Sequence, residues 1–141
     1  MKYKFFEDLA TADIAFKAEA RNLNELFEAC ALATFEVMVD LKSVKPKIKK
    51  TIKLEDKAIS DLLFSFVEEL IYLKDVETML FSKFEIKILE GKAYKLMVNA
   101  YGDKIDQKKH KLKIDVKAIT LHKFELKKLK NKFEAIILLD I

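Results

Sequence analysis

The sequence has very few of the residues that bend a chain tightly or cradle a phosphate. Its 141 residues include two glycines, one proline, Pro46, one cysteine, Cys30, and no tryptophan. A Walker loop or a dinucleotide-binding turn needs several glycines close together, so these nucleotide-binding motifs are excluded. A single cysteine cannot form an internal disulfide. Because Cys30 lies on the apolar side of a helical pattern, a buried core thiol is favoured over a nucleophile.

Long hydrophobic runs are also missing. No apolar run approaches the roughly 18 residues that a membrane span requires. The first residues, Met1 to Asp8, lack the apolar centre of a signal peptide. We therefore expect one globular domain, residues 1–141, that is soluble and cytoplasmic and has no membrane partner.

Arginine is nearly absent, although the chain is basic. Of 27 basic residues only Arg21 is arginine, and the formal net charge is +4. Arginine is the usual residue for bidentate phosphate and base contacts, so the lysines favour a solvated surface over base-specific recognition. Four of them, Lys45, Lys47, Lys49 and Lys53, alternate with apolar residues like the outer face of a strand. A basic docking surface for an acidic partner or RNA is the alternative.

Hydrophobic periodicity predicts an α+β domain with two main helices and a largely antiparallel sheet. The first helix should begin at Asn22, with Glu25 completing a capping box, and end near Leu41. The second should begin at Asp56 and end near Lys74 and Asp75.

The remaining segments show the period of two that is typical of strands. Strands are predicted over residues 3–6, 13–20, 45–54, 84–88, 94–100, 112–118, 124–126 and 133–139, with a loop up to Ala12. Gly102-Asp103 and Lys130-Asn131 are predicted turns. Because residues 133–139 are apolar on both faces, this last strand should be central and covered on both sides.

The last two residues, Asp140 and Ile141, directly follow that apolar strand. Chain ends fray unless a sheet holds them, so this end should be held in place. It would carry the Asp140 carboxylate and the main-chain carboxylate of Ile141, two hard oxygen donors one residue apart. Like charges this close favour a bound cation, and Asp13 at a strand start is the candidate third carboxylate. Oxygen donors favour calcium or magnesium over zinc.

Several segments stand out in order along the chain: Thr11-Ala12-Asp13-Ile14, the helix from Asn24 to Val39, Glu68 to Leu73 followed by Asp75, Phe81 to Glu85, Val116 to His122, and Asp140-Ile141. In this order they resemble the archease family. No single segment is specific, but together they span nearly the whole chain.

The resemblance implies an accessory protein rather than an enzyme. Archeases act with the RtcB-type RNA ligase of tRNA splicing and promote its guanylylation and turnover, so GTP and tRNA would be met through the ligase. The resemblance also implies a metal site formed by Asp13, Asp140 and Ile141. Lys117 matches a lysine that the family uses functionally. Beside the carboxylates, its ammonium could contact a phosphate or an acidic group of the partner.

The chain departs from the family pattern at two positions. Ala10 stands where the family commonly has histidine, and Leu121 where it often has tyrosine. No role that needs the missing imidazole can be assigned here. His110 and His122 lie far from any cysteine, so we expect surface or hydrogen-bonded structural histidines rather than a zinc site.

Simpler interpretations remain open at each position. Asp13 could be a turn or cap residue, and Lys117 one solvated lysine among many. A chaperone-like binding module would need an exposed apolar patch instead of a carboxylate cluster. A metal-dependent hydrolase would use Asp13 and Asp140 to activate water, and a direct RNA-binding protein would bind with steep salt dependence.

Overall fold

The structure, a computed structural model, describes residues 1–6 and 13–141. The loop that ends at Ala12, with Ala10 and Thr11, lies outside these residues. In chain order the elements are β1 Lys2–Phe5, β2 Asp13–Ala20, α1 Leu23–Met38, a 3-10 turn at Leu41–Ser43, β3 Ile48–Asp56, α2 Ile59–Glu77, β4 Met79–Leu89, β5 Tyr94–Lys104, β6 Ala118–Lys128 and β7 Phe133–Asp140.

Two antiparallel sheets pack against the two helices. The first sheet has the order β1-β2-β7-β6 and the second the order β3-β5-β4. Both helices contact both sheets, so the core lies between them. The predicted α+β class is confirmed. β7 has a neighbour on each side, which confirms its predicted central position.

Helix α1 begins as its sequence predicts. The Asn22 side-chain oxygen accepts a hydrogen bond from the backbone N–H of Glu25 at 2.9 Å. This bond satisfies one of the N–H groups that have no partner within the helix. The buried residues of α1, including Leu26, Phe27 and Phe35, then fill the space between the sheets.

The prediction of a strand over residues 112–118 is wrong for most of that range. β6 begins only at Ala118, and Leu112 forms an isolated bridge with Val39. The N–H groups of Lys113 and Ile114 instead donate to the last carbonyls of α1, at 2.8 and 3.0 Å. A helix end leaves its carbonyls without internal partners, so this segment caps α1 rather than pairing along a strand.

Two smaller predictions are also corrected. Asp56 does not open α2 but ends β3, and its carboxylate accepts the N–H of Ala58 at 3.1 Å before the helix begins at Ile59. Gly102 lies inside β5 rather than in a turn. A Cβ there would lie 1.7 Å from the carbonyl oxygen of Leu80, so the close approach of β4 requires glycine.

The other predicted turn is confirmed. The N–H of Leu129 donates to the carbonyl of Lys132 at 2.8 Å and closes the hairpin between β6 and β7. Within residues 1–6 and 13–141, neither helix combines the length and apolar character needed to cross a membrane.

Candidate carboxylate site

The first residue of β2 lies directly opposite the last residue of β7. These strands pair antiparallel, and Asp13 and Asp140 are register partners. Residues directly opposite in such a pair have Cβ atoms about 4.5–5.5 Å apart. Both aspartates are partly buried. The two carboxylates that the sequence singled out are therefore neighbours.

β6 begins on the other side of Asp140. Ala118 is its register partner, and the N–H of Lys117 donates to the Asp140 carbonyl oxygen at 2.8 Å. Lys117 is itself exposed. Ile141 is half-buried and packs against the hydrophobic core, which holds the end of the described chain. The structure thus brings all four predicted site residues together where β2 and β6 begin and β7 ends, at one end of the strands of the first sheet.

Two ionised carboxylates at neighbouring positions repel each other. Two unit charges about 4 Å apart repel by roughly 1 kcal/mol in water and about 4 kcal/mol near a protein surface. Among the described residues, no three histidine, cysteine, aspartate or glutamate side chains form a metal-binding group. A cation held by Asp13 and Asp140 would thus need the main-chain carboxylate, water or another molecule as further ligands, which suits Ca²⁺ or Mg²⁺.

Lys74 of α2 is a residue that sequence reasoning missed. Its side chain is only 5% exposed, and Nζ lies 2.5 Å from Asp75 and 2.6 Å from Asp115. Nζ also donates to the carbonyl of Val116 at 2.8 Å. The lysine therefore fixes the segment that leads to Lys117. The sequence does carry a signal for its burial, because Lys74 continues the helical spacing of the buried residues Leu63, Val67 and Leu70.

An open depression borders Lys117. It has a volume of about 210 Å³ and lies between α2 and the start of β6, with Glu68, Tyr72 and Asp75 on the helix side. Glu68 is exposed, and Tyr72 is 55% exposed. A partner can therefore reach Lys117 from the α2 side.

His110 and Cys30 have structural roles, and His122 lies on the surface. His110 is buried, and its Nδ1 accepts the N–H of Asp106 at 3.0 Å, while His122 is exposed. Cys30 is fully buried, and burial raises the pKa of its thiol. A thiol that stays protonated and inaccessible is no nucleophile, so the predicted core role is confirmed.

A model of the archease protein family (MTH1598/TM1083) matches residues 3–141. The chain belongs to the archease family. The Sulfurisphaera tokodaii archease is 41% identical over 140 residues, which cover 99% of each chain. The Pyrococcus furiosus archease is 43% identical over 121 residues, or 84% of each chain. The resemblance seen in the sequence is thereby confirmed.

Two solved structures share the archease fold found here. The solution structure of Methanobacterium thermoautotrophicum protein 1598 is 34% identical, with a TM-score of 0.86 over 99% of this chain and 98% of that one. A crystal structure from Thermotoga maritima, described as an archease and possible chaperone, has a TM-score of 0.66 over 96% of each chain. At 20% identity, this second likeness concerns the fold alone.

Proposed function

We propose that this archease is an accessory activator of an RtcB-type RNA ligase, promoting its guanylylation and multiple turnover. It acts through a carboxylate cluster formed by Asp13, Asp140 and the main-chain carboxylate of Ile141, which binds calcium or magnesium. Membership of the family supports the partner. The single observation that supports the cluster is the direct pairing of Asp13 with Asp140 across β2 and β7.

The proposed contribution is electrostatic. Carboxylates fixed at strand ends would hold a divalent ion, and such an ion neutralises phosphate charge when bound. Two side chains and one chain end leave room for ligands from the ligase or from GTP. Lys117, fixed beside Asp140 by its own N–H, places an ammonium group where a phosphate or an acidic side chain can approach. The ligase supplies the nucleophile, and this protein supplies positioning and charge.

One observation favours a second candidate, a chaperone-like binding module. Phe6 and Ile114 are 42% and 46% exposed. They line an open, mainly apolar depression of about 310 Å³ together with Phe5, Ile14 and Val37. Binding of an apolar dye to the native protein, unchanged by metal or by chelator, would favour this candidate.

The test is reconstitution with the cognate ligase. Guanylylation and multiple turnover are measured with wild type, Asp13→Asn and Asp140→Asn, with and without chelator. Glu90→Gln, an exposed residue between β4 and β5, removes the same charge elsewhere and is the control. We expect both aspartate variants to lose stimulation and the control to keep it. Undiminished stimulation by both folded aspartate variants would reject the cluster's role.

The chain end and Lys117 are tested separately. A short extension after Ile141 moves the main-chain carboxylate away, so we expect weaker stimulation while the fold is kept. Lys117→Gln should also weaken stimulation, whereas Lys130→Gln, in the hairpin turn, should not. If the extended chain activates the ligase fully, the main-chain carboxylate is not a ligand.

A further inference from the structure

The outer face of the second sheet carries a regular pattern of charge that the carboxylate site does not use. Along β3, β5 and β4 the buried residues alternate with exposed ones, so one set of side chains faces solvent together. Five lysines and three acidic residues share this face, which gives it a net charge of +2: Lys49, Lys53, Lys83, Lys87, Lys95, Glu55, Glu85 and Asp103. We name it the lysine face.

The strand register turns these lysines into two parallel rows. Tyr101 of β5 has Lys49 as its partner in β3 and Lys83 as its partner in β4. Met97, also on β5, is likewise paired with Lys53 and with Lys87. Because adjacent strands lie about 4.8 Å apart, the two rows of lysines run about 10 Å from each other.

The strip between the rows is uncharged and partly aromatic. It consists of Met97, Asn99 and Tyr101, and Met97 is 43% exposed. Lys83 Nζ lies 5.1 Å from the centre of the Tyr101 ring. An aromatic ring flanked on both sides by ammonium groups matches what single-stranded nucleic acid offers, since its bases stack and its phosphates are negative.

We propose that the lysine face binds single-stranded RNA. Phosphates contact the two rows of lysines, and a base stacks on Tyr101 in place of the Lys83 ammonium, which moves to a phosphate. This proposal goes beyond ligase activation and involves none of the residues of the carboxylate cluster. The binding is electrostatic and shows little dependence on base sequence.

Glu85 adds an acceptor that suits RNA as the occupant. It lies between Lys83 and Lys87 on β4 and accepts the Tyr101 hydroxyl at 2.8 Å. That hydrogen bond, with smaller contributions from Asn99 and nearby lysines, holds the pKa of Glu85 below its ordinary value, so it stays charged. A fixed carboxylate repels the phosphates of RNA as it repels an acidic peptide, so a neutral donor group must meet it. It can still accept a hydrogen bond from a 2′-hydroxyl, the group that distinguishes RNA from DNA.

Fluorescence anisotropy with a labelled single-stranded RNA of about 12 nucleotides tests the proposal on the whole chain without the ligase. The face variant combines Lys49→Gln, Lys53→Gln, Lys83→Gln and Lys87→Gln. The control variant combines Lys57→Gln, Lys108→Gln, Lys109→Gln and Lys130→Gln, which are exposed and lie elsewhere. Both variants lower the net charge from +4 to 0, so a difference between them reports position rather than total charge.

The face variant should bind RNA at least about tenfold more weakly than the control at low salt. Four phosphate contacts predict a slope of log K against log salt near −2.8 for wild type, which the face variant should lose. Tyr101→Ala should weaken binding about tenfold, and Tyr101→Phe, which keeps the ring, should weaken it much less.

Three outcomes would overturn the proposal. Equal RNA affinity of the face and control variants would leave the lysines as a solvated surface. Tighter, face-dependent binding of polyglutamate than of RNA would make the occupant an acidic protein. If single-stranded DNA binds as tightly as RNA and depends equally on the lysine face, the proposed contact between Glu85 and a 2′-hydroxyl does not form. Because no ligase is present, each outcome is independent of ligase activation.

Discussion

Lys74 Nζ of α2 lies 2.6 Å from a carboxylate oxygen of Asp115, in the segment that leads into β6. The lysine is buried, while the side chain of Asp115 is 71% exposed. Two residues further on, the N–H of Lys117 bonds to Asp140. One ion pair thus connects the second helix to the end of the first sheet at which Asp13 and Asp140 lie opposite each other.

Replacing Lys74 with methionine should lower both stability and ligase stimulation. Methionine fills a similar volume but donates no hydrogen bond, so the Val116 carbonyl loses its partner. We expect a loss of about 1–3 kcal/mol, measured by urea unfolding. Lys50→Met is the control, because Lys50 pairs with Glu77 at the C-terminal end of α2, in a half-exposed contact at 2.5 Å. It should cost less than about 1 kcal/mol and leave stimulation unchanged. Full stimulation by Lys74→Met would show that Lys74 does not position Lys117.

Calcium should raise the melting temperature of the wild-type protein. A ligand that binds only the folded state stabilises it by about 2.7 kcal/mol at 100 times its dissociation constant. The increase should disappear in Asp13→Asn and Asp140→Asn and persist in Glu90→Gln. Differential scanning fluorimetry over a calcium series, repeated with magnesium, measures it. An equal increase in all four proteins would place the ion elsewhere.

Gly102→Ala should destabilise the protein by about 1–3 kcal/mol or more. The new Cβ would lie 1.7 Å from the Leu80 carbonyl oxygen, where backbone must shift. Gly91→Ala is the matched control, since its Cβ would meet only Ala93 O at 3.7 Å, an ordinary contact. Its effect should stay within about 0.5 kcal/mol. Equal unfolding midpoints for the two variants would contradict the close approach of β4 and β5.

The Tyr101 to Glu85 hydrogen bond should contribute to stability over a defined pH window. It lowers the pKa of Glu85 and raises the pKa of Tyr101. The Glu85 contribution is complete above the ordinary glutamate pKa of 4.5 and is lost as pH falls through the lowered value. The Tyr101 contribution is complete below 10.0 and is lost as pH rises through the raised value.

Tyr101→Phe should therefore lower the melting temperature between about pH 4.5 and pH 10 and approach the wild-type value at more extreme pH. Thermal melts across this range measure the difference between the two proteins. A difference that does not vary with pH would assign the effect to packing of the ring rather than to the hydrogen bond.

Much of the fold was predictable because its signals are local. The cap at Asn22 and the apolar character of β7 each depend on a few neighbouring residues, and both predictions are confirmed. The segment around Ile114 shows where such local signals fail. Its apolar residues recur at every second position, as in a strand, but its N–H groups bond to the carbonyls at the end of α1. The spacing of apolar residues specifies which face a residue occupies and not which backbone groups it pairs with.

The sequence by itself determined the types of group available at the candidate site: two aspartates, Ile141 and a lysine. Only the tertiary structure decided that they meet, because the register of β2 against β7 places Asp13 opposite Asp140. The same holds for Lys74 and Gly102, whose roles depend on Asp115 and on Leu80. Such pairings join residues far apart in the chain, and no short-range preference encodes them.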